Sequence, residues 1–493
     1  MINRRGLSIF LSSAILVSGF LLWVLASAPR AKAIPAFSRK YQTSCTTCHS
    51  NFPELNDFGL AFKKAGFKFP KDDDTFVKDL PVLLGAKAQK EAFPGALYPG
   101  ELPGNLPIAF RYSGFFNYNS KIPLANGFVP RTDLFVPNTF TIIAAGSFGP
   151  NISFWVDDDI SAGGANGAAF MGDGYLKGND IGRWLHLPKD ALNVRFGQFE
   201  LDLPFTQART INLTGYDIFN QASVSLVNPA LCAVAADPAN TQCTTNNPFF
   251  FGVPQRGIEF GGYPNDGNFT WSLAIVNGNN SNTATRNSKD IYGRISQTFN
   301  LERDSSVRKE VQAAGPTGPR DHTSIRIGAF GYYGRNALNI GGSLFPTLPT
   351  IREPFYRFGG DFRFKYRKFE LWGVGMYGHD TNVIPNTTDI LTATGFVPTT
   401  PVTFAGGFIE GEYWFYPWLI GLVRYDGVNS PTDFANGASR YDTRNRFSPG
   451  VQVLVRANIK LAFEYQRRFE QPVAGSTQFF RANGFVLGTD FLF

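Results

Sequence analysis

From residue 108 to residue 493 the chain alternates apolar and polar residues with a period of two. A period of two is the signature of a β-strand with one apolar face. Ile108, Phe110, Tyr112, Phe116 and Tyr118 share one face, opposite Arg111, Ser113 and Asn117. Tyr356, Phe358, Phe362, Phe364 and Tyr366 alternate with Arg357, Asp361, Arg363 and Lys365, and Ile459, Leu461, Phe463 and Tyr465 with Lys460, Glu464, Gln466 and Arg468. The chain is 43% hydrophobic, with 51 Gly and 49 Phe, yet residues 108–493 contain no repeated runs of about 20 apolar residues, which excludes a polytopic helical membrane protein.

Two β architectures fit such a pattern. In a soluble sandwich the apolar face is core, whereas in a transmembrane barrel it meets lipid and the charged face lines the lumen. Segments of about ten residues, the length a tilted strand needs to cross a bilayer, favour the barrel. Strands are expected near 108–118, 134–148, 151–160, 170–180, 192–200, 256–264, 268–277, 290–299, 323–335, 355–366, 368–379, 404–416, 418–427, 446–457, 459–470 and 478–493. That makes sixteen, an even number. Gly149-Pro150, Pro264 to Gly267, Arg367, Pro417 and Asn458 then fall on one side as short turns, and the long connections on the other. Two features strain this count: the long, charged 300–322 lands on the short-turn side, and 170–180 is needed mainly for parity. The final Phe493 resembles the C-terminal signature of bacterial outer-membrane proteins.

Ahead of the barrel lie two further segments, giving domains at 1–33, 34–107 and 108–493. Arg4 and Arg5, the apolar Leu7 to Ala26 and the small-residue site Ala31-Lys32-Ala33 read as a cleaved export signal. Arg4, Arg5, Arg30 and Lys32 would leave with it and no acid would, so the net charge of +7 falls to +3. A nearly neutral chain without a basic run makes nucleic acid an unexpected partner. Cys232 and Cys243, in a Pro/Asn/Thr-rich stretch of an exported protein, read as a loop disulfide, with two free thiols as the alternative.

Cys45-Thr46-Thr47-Cys48-His49 is the C-x-x-C-H signature of covalent haem c attachment. Two thiols three residues apart can reach both vinyl groups of one porphyrin, and the adjacent His is then placed as the proximal iron ligand. A redox dithiol would want a βαβ context and a zinc site a second ligand pair, and neither is present in the sequence. A short helix is expected to follow, capped by Asn51 and Glu54 with Pro53 in its first turn, placing Leu55, Phe58 and Phe62 on one face and Lys63 and Lys64 in its last turn before Gly66. Residues 34–107 hold no His but His49 and no Met, so a conventional distal ligand must come from His186, His322, His379, Met171 or Met376, all in the barrel segment, unless the donor is unusual or absent. Met376 has the lumen parity of Glu370, and Met171 lies near an outer strand end; these two are the candidates, although a lone Met on a strand is more often filler.

Ile34-Pro35-Ala36-Phe37-Ser38-Arg39, then Cys45 to His49, then Pro53-Glu54-Leu55-Asn56-Asp57-Phe58-Gly59 and Phe62-Lys63 to Gly66-Phe67 resemble the fused monohaem cytochrome–porins, outer-membrane iron oxidases of iron-oxidising bacteria. The likeness is specific over residues 34–67 and architectural beyond them. It implies that Cys45, Cys48 and His49 carry one haem c, that Pro53, Leu55, Phe58, Gly59 and Phe62 shape its pocket, and that the small helical module plugs the barrel. By the same resemblance the chain is an iron(II):cytochrome oxidoreductase of a Gram-negative outer membrane, set in its lipid, taking electrons from extracellular iron(II) and passing them to a periplasmic carrier such as a soluble cytochrome c. Lumen charges (Arg111, Arg195, Arg294, Arg326, Arg357, Arg363, Glu259 and Glu464) would hold the plug or keep a water pore open, and Asp157, Asp158 and Asp159 would collect iron(II) or simply face solvent. Two other readings stay open: a solute porin with a haem-bearing plug, since Val194-Arg195-Phe196-Gly197-Gln198-Phe199 has the flavour of phosphate-selective porins, and a conduit for another extracellular donor.

Overall fold

In the computed structural model the described residues are 36–69, 73–78, 82–83, 86–95, 101–102, 104, 106–119, 131–149, 151–160, 171–204, 224–227, 244–247, 249, 251–264, 267–278, 287–301, 323–339, 350–385, 399–429, 445–469 and 483–493. Sixteen strands close into one antiparallel barrel: β1 Ile108–Asn119, β2 Thr132–Phe148, β3 Ile152–Ile160, β4 Met171–Gly178, β5 Asn193–Phe199, β6 Gln255–Gly262, β7 Phe269–Val276, β8 Asp290–Asn300, β9 Ser324–Asn339, β10 Thr350–Tyr366, β11 Phe369–Pro385, β12 Thr399–Tyr416, β13 Leu419–Asn429, β14 Asn445–Arg456, β15 Ile459–Phe469 and β16 Gly484–Leu492. Every strand pairs with its sequence neighbours, and β16 closes on β1 from Gly484↔Asn119 to Leu492↔Arg111. Each expected strand is present. β4, which parity required, pairs with both β3 and β5.

The period of two becomes an inside and an outside. On β10, Tyr356, Phe358 and Tyr366 are exposed on the outer face while Arg357, Asp361, Arg363 and Lys365 are buried on the inner one. A large apolar surface directed outward is a cost in water and a requirement in hydrocarbon, where only a closed barrel leaves no strand edge unsatisfied. Beside these buried charges the inner face also carries an aromatic cluster. Phe249 and Phe251 pack among Tyr292, Phe330, Tyr332 and Phe355, and this cluster continues through Leu201, Leu203, Trp372, Met376, Phe404 and Phe408.

The described residues of the module, 36–69 and 73–78, contact the inner wall at the short-turn end. Its helices are α1 (Ala36–Tyr41) and α2 (Asp57–Lys64), joined through a turn at Cys45–Thr47 and two short strands, His49–Asn51 and Glu54–Leu55, that pair antiparallel. Tyr41, Phe62 and Phe67 form its core together with Phe37 and Phe69, and the core runs on into Ala145 of β2 and Trp155 of β3. Polar contacts bind it to the wall on several sides: Arg39 to the Ile108 carbonyl at 2.7 Å, Lys68 to the Gly149 carbonyl at 2.8 Å, and Lys177 of β4 to the Lys64 carbonyl at 2.6 Å. Across the lumen, Arg363 pairs with Glu54, Lys365 with Asp57 at 2.8 Å, Asn51 Nδ2 donates to Gln452 Oε1 at 2.6 Å, and Lys460 donates to the Phe52 carbonyl at 2.8 Å.

One expectation fails here. The helix does not start at an Asn51/Glu54 capping pair; it starts at Asp57, with Asn56 as N-cap accepting from Gly59 N. Asn51 and Glu54 lie in the short paired strands instead, because Gln452 and Arg363 on the barrel wall claim their side chains. The export segment 1–33, the Cys232/Cys243 pair, His322 and nearly all of 300–322 lie outside the described residues.

Candidate functional site

Cys45 and Cys48 sit at either end of a single 3-10 turn, Cys45–Thr47, capped by Ser44. The backbone N–H of Cys48 donates to the Cys45 carbonyl at 3.1 Å, which keeps both thiols on one compact turn. Both thiols are free and half-buried. Burial pushes the Cys48 thiol up to about 12 and raises that of Cys45 as well.

His49 follows directly. Its Nδ1 lies 3.2 Å from the Pro53 carbonyl oxygen, a contact that requires Nδ1 to carry the proton and leaves Nε2 as the ligating nitrogen. Burial lowers the imidazole to about 4, with the positive charges of Arg111 and Lys460 adding to the shift, so the ring is neutral and its lone pair available at neutral pH. The Phe52 ring packs edge-on at 5.1 Å, and Arg111 lies over the Phe52 ring at 5.2 Å. Two adjacent thiols and an imidazole fixed in the ligating tautomer are the donor set that a covalent haem c requires. Cys45, Cys48 and His49 would hold it.

The other expected pocket residues separate into two groups. Pro53 orients His49 through its carbonyl. Leu55 lies against Gly59, which lets α2 approach the Cys48 carbonyl. Phe58 meets Phe69 edge-on at 5.0 Å, whereas Phe62 is buried in the module's own core against Phe37 and Tyr41. Asn56 escaped the sequence reading yet ties the site together. Its Nδ2 donates to the Thr47 carbonyl at 3.1 Å while its Oδ1 caps α2 at Gly59 N, 2.8 Å away. Its place one residue before Asp57-Phe58 was the available signal, and the Asn51/Glu54 pair masked it.

The distal candidates are scattered. Met376 faces the lumen, as its parity with Glu370 requires, and is packed in the aromatic cluster six residues along β11 from Glu370, roughly 20 Å of strand. Met171 opens β4 opposite Asp158. His379 stacks on Tyr356 on the outer face, and His186 is exposed after the turn at Ile181–Leu185. Of the acidic run on β3, Asp157 accepts from Trp155 Nε1 at 3.1 Å and Asp159 from the Thr141 hydroxyl.

No protein-family model matches the sequence, and no curated protein matches it. Among solved structures the chain is similar to the outer membrane channel DcaP of Acinetobacter baumannii, at 11% identity and a TM-score of 0.48, over 78% of this chain and 96% of that one. It is also similar to Salmonella typhi OmpF in complex with daunomycin, at 9% identity and a TM-score of 0.46 (78% and 97% covered). A loop-deletion variant of OmpT from Vibrio cholerae gives 8% identity and a TM-score of 0.42 (78% and 98% covered).

Proposed function

We propose that the protein is an outer-membrane electron conduit that takes electrons one at a time from iron(II) outside the cell, through a single haem c, to a periplasmic carrier. The observation that carries this reading is where the C-x-x-C-H turn lies: in a plug tied to the barrel wall through β10, β14 and β15, with His49 held by Pro53 in the ligating tautomer. A bound haem would supply a one-electron iron(III)/iron(II) couple inside an otherwise insulating wall. Phe52 packs against the His49 ring, and Arg111 lies over Phe52. The aromatic cluster around Phe249 and Phe251 lies on the inner wall beyond the plug, beside buried charges such as Arg357 and Asp380. An electron can pass a filled lumen where a solute cannot, and insoluble iron(III) would stay outside.

A solute porin with a haem-bearing plug is the second reading, favoured by the buried wall arginines Arg357, Arg424 and Arg446. One experiment separates the two. Iron(II) is added to membranes holding the protein, the haem absorbance is followed, and single-channel conductance is recorded on the same preparation. Prompt haem reduction with negligible conductance supports the conduit; an unreduced haem together with a large, steady conductance removes it in favour of the porin.

A further inference from the structure

Beside the plug, the lumen wall carries a carboxylate cluster that the electron route does not use. Glu370 and Glu412 are direct cross-strand partners on β11 and β12, and Glu54 reaches them from the plug. All three are buried, and one carboxylate oxygen of each lies within 4.8 Å of the other two. Like charges directly opposite on a ladder destabilise it. Arg363 answers part of the repulsion by pairing with both Glu54 and Glu370. Glu412 receives Trp372 Nε1 on its Oε1 at 3.2 Å. Two of the other oxygens, Glu54 Oε2 and Glu412 Oε2, are buried with no hydrogen-bond partner.

Oxygens sharing one ion at about 2.1–2.3 Å stand about 3–4.5 Å apart, close to the observed spacing. An all-carboxylate donor set suits hard dications such as magnesium, calcium, manganese(II) and iron(II).

We propose that Glu54, Glu370 and Glu412 bind one hard divalent cation that clamps the plug to the barrel wall. Two ligands belong to the barrel and one to the plug, so occupancy and docking are coupled: the ion binds the docked plug better than a displaced one, and stabilises docking by that difference. The site is independent of the haem reading and stands or falls separately.

The test uses the full chain, purified, stripped with a chelator and titrated with manganese(II) while the free-ion EPR signal is followed. About one manganese(II) per chain is expected, and the temperature at which the module becomes protease-sensitive should rise with it. Glu412→Gln and Glu370→Gln, which keep side-chain size, should each weaken binding at least about tenfold and abolish the temperature rise. Heat-modifiable gel migration reports that each barrel is closed. Absence of stoichiometric binding by the wild-type chain, or undiminished binding by a closed Glu412→Gln barrel, overturns the proposal.

Discussion

A Cβ at Gly59 would collide with the Cys48 carbonyl oxygen and press on Leu55 Cδ2, although the residue's own backbone is helical. The requirement is therefore for space: α2 can lie on the C-x-x-C-H turn only where no side chain intervenes. Gly59→Ala should destabilise the module by about 1–3 kcal/mol, as overpacking does elsewhere, because the obstacle is backbone and cannot rotate away. Limited proteolysis would then cut the module sooner, while the barrel's heat-modifiable migration stays unchanged. Lys64 gives a pH signature. Burial lowers its ammonium from 10.5 to about 8, with Arg326 and Arg294 pushing the same way and Asp202 opposing them. Between about pH 8 and 10.5 the docked form holds fewer protons than a detached one, so docking tightens as pH rises through that window; below about pH 8 the cost of the buried charge is constant. Lys64→Met removes that cost, on the order of 1–2 kcal/mol after allowance for partial exposure. Its docked fraction, followed by protease resistance, should exceed the wild type's at pH 7 and lose the rise above pH 8.

At the scale of elements, α2 depends on Asn56 twice, as N-cap to Gly59 N and as donor to the Thr47 carbonyl. Asn56→Ala should cost about 1–2 kcal/mol of module stability, read by the same proteolysis, and Asn56→Asp should recover the cap alone. The expected helix start went wrong for a related reason. Asn51 and Glu54 have the spacing of a capping pair, but their partners Gln452 and Arg363 lie 401 and 309 residues away in sequence, beyond the reach of any local pattern. The barrel strands were legible because their rule is local: each inward residue such as Arg357 is flanked by outward ones such as Tyr356 and Phe358, and hydrocarbon enforces the alternation. Their outer ends were not. β10, β11 and β12 run on to Thr350, Pro385 and Thr399, where the ladder continues past the strands that the alternation marks. The Cys45, Cys48 and His49 motif was legible from chemistry, as C-x-x-C-H, whereas the Phe52 ring beside His49 and Arg111 over that ring required the fold.

For the whole molecule the property to test is that two groups stand on the lumen side of the wall, and each should obstruct passage. The plug lies at the short-turn end, and Phe249 and Phe251 pack on the inner wall beyond it, Phe249 stacking on Tyr332 at 4.0 Å and lying 5.3 Å from Phe355. Each obstruction rests on different contacts, so removing one should not open the pore. A chain lacking residues 36–104 should keep a closed barrel, since β1 to β16 pair without help from the module, yet conduct only weakly. Phe249→Ala with Phe251→Ala in the intact chain should likewise conduct weakly, because the plug remains. Combining the deletion with both substitutions should give a conductance far above the sum of the two, in planar bilayers at fixed salt. Additive conductances would mean that two parallel paths exist and that the aromatic cluster does not stand in series with the plug. A wild-type conductance equal to that of the combined variant would mean that neither obstruction holds in the membrane, and the filled lumen would no longer argue for electrons over solutes.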